Sequence, residues 1–351
     1  THCISSAASD VYKRQDIMSK PRQSGYMKFV SYLIGGIIVL AIALFLSILF
    51  GDAKIDIPTI IDAIFNYNPK NQQHNVISEI RIPRDLGAIL VGMALSVAGA
   101  VIQGVTKNSL ADPSLIGLNS GASFGLAITY AFYPEAPFTF LMVAGFLGAL
   151  LGGSIVLMIG RSRKDGFNPM RIILAGAAVS AMLAALSQGV ALIFRLNQSL
   201  TFWSAGGVSG TTWPQIIWTG PIIIVALVVI LTMSRQLTIL NLGESLAKGL
   251  GQNVTMIRVV ILVLAMVLAG VAVSMVGQIA FVGLMVPHIV RFIIGTDYSK
   301  VLPLTAILGG ILMLVADMLA RYLGDAPVGA IISFIGVPYF LYLVKKGGRS
   351  I

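Results

Sequence analysis

The sequence predicts an all-helical, polytopic membrane protein that crosses the bilayer about ten times. Three observations carry that expectation. Charged residues make up 11% of the chain and hydrophobic residues 56%, whereas a soluble domain uses about 25% charge to cover its water-facing surface. Apolar runs recur at close to the length a helix needs to cross the hydrocarbon core, about 20 residues. The Lys and Arg residues, 24 in all, crowd onto alternate loops between those runs, the bias that orients membrane helices.

The runs lie at 27–50, 86–105, 114–133, 138–160, 171–194, 214–234, 256–276, 279–294, 303–323 and 328–344. The eighth is short and holds Pro287, which predicts a kinked or broken helix. An even number of crossings puts both termini on one side. With that side taken as the cytoplasm, 18 basic residues lie inside and 6 outside, namely Lys54, Lys70, Arg81, Arg84, Arg195 and Arg321. The predicted topology is therefore N-in, C-in. Residues 1–26 form a polar tail. Within it 1–17 lacks the apolar core of a signal peptide and is expected to be either an unprocessed tail or an extension foreign to the native chain, with Met18 a plausible start.

Composition excludes several classes. The single Cys3 supports neither a disulfide framework nor a thiolate metal site, and His2, His74 and His288 stand too far apart for a ligand pair. No metal and no cofactor is expected. The net charge of +10 is the inside-loop excess and does not point to nucleic acid.

Small residues recur at every fourth position, at Gly92, Ser96, Ala100 and Gly104 and again at Gly117, Gly121 and Gly125. Such stripes let helix backbones approach closely, the main source of packing energy in lipid. A seven-residue pattern repeats at Leu90–Ser96, Leu174–Ser180 and Leu268–Ser274. Its first and third copies run in opposite directions in the predicted topology, as an inverted repeat would.

Few ionisable residues fall within the runs. Asp317 and Arg321, four apart in the ninth, suit an i,i+4 ion pair, and Arg321 lies near enough to the outer end to snorkel. His288, beside Pro287, is expected to pack and to satisfy the carbonyl that the proline frees. No nucleophile, base and orienting group assemble, so the chain is not expected to be an enzyme. It has no Gly-x-x-x-x-Gly-Lys-[Ser/Thr] segment; ATP, if it drives the protein, must be hydrolysed by another polypeptide.

Two polar segments read as docking surfaces. Outside, IRIPR sets Arg81 and Arg84 on a turn stiffened by Pro83, a fork for carboxylates or a pair of interfacial anchors. Inside, LNLGESLAKGLG (240–251) reads as a short helix punctuated by Gly243, Gly249 and Gly251, ordered beyond the needs of a solvated loop.

These segments together resemble the permease subunits of bacterial ABC importers for iron–siderophores, haem and vitamin B12, the FecCD type. The resemblance rests on RIPR (81–84), QGVTKNSLADPSLIGLNSGASFG (103–125), LAG (174–176), FWSAGGVSGTTW (202–213), LNLGESLAKGLG, FVGLMVPHIVR (281–291), ADMLAR (316–321) and IGVPYFLYLV (335–344). It runs collinearly over 27–346, which it implies to be one importer transmembrane domain. The family resemblance implies ten helices per subunit, a dimeric permease (homo- or heterodimer), two cytoplasmic ATPases, an extracytoplasmic binding protein and a place in the bacterial cytoplasmic membrane. Carried over by position, Arg81, Arg84 and Arg321 are implied to meet acidic residues of the binding protein. Leu242, Gly243, Glu244, Ala247, Leu250 and Gly251 are implied to lie on the helix that seats in the ATPase. Asn108 and Leu110 are implied to form an inner gate facing a loop with Asn168 and Pro169, although Ser109 stands where the family often has proline. Pro287, His288, Arg291 and Asp317 belong to the motifs as structural positions. The expected cargo is an iron–siderophore, of hydroxamate type by analogy with the family's most frequent members. Haem, vitamin B12 or a metal ion is the alternative cargo, and a passive channel or a membrane sensor is the alternative class.

Overall fold

A computed structural model describes residues 21–51, 55–162, 166–167 and 169–347. The tail 1–17 and Asn168 lie outside the described residues. The helices are α1 (Pro21–Leu49), α2 (Ile57–Phe65), α3 (Gln72–Asn75), α4 (Ile82–Thr106), α5 (Leu118–Phe132), α6 (Phe138–Gly160), α7 (Pro169–Ile193) and α8 (Asn197–Ser204). They continue as α9 (Trp213–Thr232), α10 (Ser234–Leu242), α11 (Glu244–Gly249), α12 (Val254–Val276), α13 (Val282–Ile294), α14 (Tyr298–Tyr322) and α15 (Val328–Gly347). One antiparallel pair of two-residue strands, Arg161–Ser162 with Gly166–Phe167, joins α6 to α7.

Eight of these helices are long and apolar enough to cross a bilayer, those built on α1, α4, α6, α7, α9, α12, α14 and α15. The other two predicted runs form shorter helices, 15 residues in α5 and 13 in α13, each about 20 Å long. Both are shortened at their starts. The Asp112 side chain caps a 3₁₀ turn over Pro113–Ile116, and Gly117 at φ 79° then redirects the chain into α5. Gly277 at φ 78° ends α12, and the chain stays non-helical until Phe281 opens α13. The short, proline-bearing eighth run is thus a break followed by a half-length helix.

Helix α4 is the hub, buried over most of its length against α12, α13 and α14. Its glycines explain how. A Cβ on Gly92 would overlap the Gly309 carbonyl of α14, and one on Gly99 would overlap the backbone of Gly283 in α13. In the second stripe, Gly121 and Gly125 meet the backbone of Gly148 and Ala144 in α6 in the same way. The small-residue stripes are therefore packing seams.

At Pro287 the freed carbonyl has a partner other than the expected His288. A proline at 287 cannot donate to the carbonyl of Gly283, four residues back. That carbonyl instead accepts from Gln103 Nε2 at 3.1 Å, and the same amide reaches Ala111 O at 3.0 Å. His288 packs edge-on against Tyr339, ring centroids 6.1 Å apart. A long polar side chain on α4, brought close by the Gly99–Gly283 contact, performs the task expected of the neighbouring histidine. Arg291 then donates to the Gln103 oxygen at 2.5 Å, tying α13 to α4 a second time.

Candidate functional site

The polar chemistry gathers at two opposite ends of the bundle. Tyr298, at the start of α14, donates its backbone N–H to Thr238 Oγ1 of α10 at 3.0 Å. Arg321 lies 23 positions further along α14, about 35 Å away.

At the Arg321 end, the chain differs from the expected turn. Residues 72–106 form one helical column in which Val76–Arg81 widens into a π-turn, with Ile82 N–H bonding Ile77 O. Pro83 sits at the start of α4, where it lacks a donor for the carbonyl four residues back. Trp213 Nε1 clamps the widened turn through Ser78 O at 2.7 Å. On a helix Arg81 and Arg84 point inward, 6% and 8% exposed, so they are not a free fork.

Arg84 Nε donates to both oxygens of Asp317 at 3.0 Å, and its Nη2 meets Asp325 Oδ1 at 2.8 Å. Arg321 Nε donates to Asp317 at 2.9 Å, as the i,i+4 spacing predicted. Its guanidinium also engages the buried carboxylate of Asp85 and, at 3.1 Å, the Ser47 carbonyl. Ser47 Oγ donates to Asp85 at 2.8 Å. Arg321 therefore turns into the bundle and does not snorkel outward. Arg81 Nη1 donates to Ile48 O at 2.6 Å, so Arg81 and Arg321 converge on the end of α1, and Arg84 joins Arg321 through the shared Asp317. Among the cluster's carboxylates only Asp325, at 52%, is well exposed. Sequence reasoning missed Asp85 and Asp325. Asp85 carried a signal, an acid beside Arg84 at the edge of an apolar run; Asp325 lies outside any run and carried none.

At the other end, α10 and α11 meet at Gly243, whose φ 152° and ψ 146° break the helix. Gly251 at φ 77° ends the segment. Ala247 is fully buried, while Leu242, Leu246 and Leu250 are 70%, 47% and 62% exposed. Glu244 meets Lys248 Nζ and Arg258 Nη2, each at 3.0 Å, which anchors α11 to the start of α12. The Lys248 hydrogen bond, with Arg258 behind it, holds the Glu244 carboxyl below its ordinary pKa. The result is a short helix with its small residue inward and Leu246 outward, flanked by the exposed Leu242 and Leu250.

The candidate gate residues lie at this same end. Lys107 adopts the left-handed conformation (φ 51°) and ends α4. Asn108 Oδ1 then accepts from Leu110 N at 3.0 Å, and Asn108 O from Ala111 N at 3.1 Å. Asn108 thus folds the loop on itself and leaves Leu110 half-buried. Asn168, its expected counterpart, lies outside the described residues, and Pro169 begins α7.

With this geometry in place, the relatives are informative. The model of the FecCD transport family matches residues 39–346. The iron(3+)-hydroxamate import system permease protein FhuB of Bacillus subtilis (strain 168) is 41% identical over 329 residues, 92% of this chain and 85% of that protein. The iron-uptake system permease protein FeuB of the same organism is 34% identical over 322 residues, 91% of this chain and 96% of that one. A solved structure of a metal-chelate type ABC transporter in an inward-facing conformation superposes with a TM-score of 0.78 at 28% identity, over 90% of this chain and 98% of its own. This chain belongs to the FecCD transport family.

Proposed function

We propose that the chain is the membrane-spanning subunit of a binding-protein-dependent ABC importer that carries an iron–siderophore, of hydroxamate type, across the bacterial cytoplasmic membrane. It is a transport subunit, and ATP is hydrolysed on a separate polypeptide. The hydroxamate assignment is supported by the 41% identity to a hydroxamate permease.

The observation that carries the mechanism is the outward leucine row of Leu242, Leu246 and Leu250 on a polar segment between two spans. An unpartnered apolar row there fits insertion into a groove of another protein. We assign that groove to the ATPase, with α11 transmitting its closure to α12 through the Glu244–Arg258 pair. The opposite end, with Arg81, Arg84 and Arg321, receives the loaded binding protein. An acidic side chain of that protein exchanges with Asp325 on Arg84, and charge complementarity sets its register. Ten crossings with both termini inside follow if α5 and α13 complete the span with their non-helical leaders. An inverted repeat is supported by Ser96 and Ser274, which occupy the same place in two copies and both back-bond the carbonyl three residues earlier. Asn108 and Leu110 form one lip of the inner gate, with Asn168 and Pro169 as their counterpart. The pathway runs between two permease subunits, which rock to alternate access.

Replacing Leu242, Leu246 and Leu250 by serine tests the assignment. The chain is expected to fold and insert but to lose co-purification with its ATPase; retained association would remove the proposed role of this segment.

A further inference from the structure

A cavity of about 370 Å³ opens between α5, α7, α8 and the non-helical segment after α12. Its polar lining includes Ser123, Ser187, Gln188, Thr201, Ser204 and Gln278, and among the described residues none of its lining side chains is charged. The lining is organised: Gln278 Nε2 donates to Ser123 Oγ at 2.8 Å, and Ser204 Oγ to Thr201 O at 2.9 Å. Gln188 is exposed although α7 is a bilayer-length apolar helix. An amide facing hydrocarbon is costly, so this face of α7 looks onto water or cargo. The same face continues at Ser180, two turns nearer the 240–251 end, whose hydroxyl is buried with no hydrogen-bond partner among the described residues. A polar track thus runs along α7 through an otherwise apolar helix.

We infer that this cavity is a cargo half-site selective for electroneutral metal chelates that present many hydrogen-bonding oxygens and amides. The inference deepens the importer reading and rests on it. Two features point to a neutral cargo. The hydroxyls and amides both donate and accept, matching the rim of a hydroxamate complex, and among the described residues no cation lines the cavity to compensate an anionic tricatecholate or citrate complex. Arg84 and Asp325 line the neighbouring cavity beside Trp203 and Gly206 and are paired with each other, and Arg195, beyond the end of α7, is exposed and is not part of the lining. The volume falls within the range of small-molecule sites and suits one face of a chelate, with the second permease subunit supplying the other.

The test uses the whole complex of permease, ATPase and binding protein in proteoliposomes, with an electroneutral ferric trihydroxamate carrying radio-iron as the probe. Gln188→Leu is expected to lower the uptake rate about tenfold, the effect of losing one good hydrogen bond. Gln188→Asn should restore most of it, with binding-protein docking and ATPase association unchanged in both. Gln188→Lys should not raise uptake. Wild-type rates in Gln188→Leu, or faster uptake in Gln188→Lys, would overturn the assignment, the second by showing an anionic cargo. If the wild-type complex imports nothing with ATP, it is the importer reading that fails, whatever the variants do.

Discussion

Arg84 in α4 and Asp317 in α14 form a two-point hydrogen bond, Nε to both carboxylate oxygens at 3.0 Å, across 233 positions of sequence. The carboxylate is fully buried and is shared with Arg321. Removing one partner leaves a buried charge uncompensated, which costs about 3–5 kcal/mol. Asp317→Ala is expected to lower the thermal midpoint of the purified protein markedly. Arg84→Ala with Asp317→Ala together should cost less than the sum of the two single changes. Additive losses would mean the pair is not coupled.

Asp325 bears on docking. It neutralises Arg84 from the exposed side of the cluster, where an incoming acid would have to compete. Asp325→Asn is expected to tighten docking of the loaded binding protein several-fold, read as a lower Kd by titration at low salt, while Arg84→Gln weakens it. Unchanged affinity in both variants would place the contact elsewhere.

The seam between α4 and α13 makes a sharper structural prediction. Gly99→Val is expected to abolish stable insertion, because its Cβ meets backbone that cannot swing aside. Gly35→Ala, in α1, meets nothing within 4 Å and should be neutral or stabilising by about 1 kcal/mol. Detergent-extracted yield and thermal midpoint separate the two.

Gln103→Leu removes the donor for the Gly283 and Ala111 carbonyls and the acceptor for Arg291. Each orphaned buried group costs about 1–3 kcal/mol. Loss of stability is expected to exceed that of His288→Ala; the reverse order would restore the histidine to the role its sequence position suggested.

The sequence carried the long helices well, because apolar length and basic-loop bias are read residue by residue. The small-residue stripes and the Asp317–Arg321 pair were legible for the same reason, being local periodicities. What stayed hidden depends on partners far apart in the chain. Nothing near Pro287 signals that Gln103, 184 positions earlier, will satisfy its freed carbonyl. Arg81 and Arg84 looked exposed because a proline between them suggested a turn; the π-turn before it accommodates the same proline within a continuous helical column, and the arginines point inward. The polar cavity was invisible because its serines and glutamines come from three helices and one non-helical segment, each bearing only one or two of them.

The most direct measurement of the account is chelate uptake by the reconstituted complex, with ATP or a non-hydrolysable analogue, for the wild type and for the Leu242, Leu246 and Leu250 serine variant. Uptake by the wild type with ATP alone, and by the variant with neither, is the predicted result. Uptake of equal rate with the analogue, or undiminished uptake by the variant, would contradict the claim that this subunit is opened by an engine seated on α11.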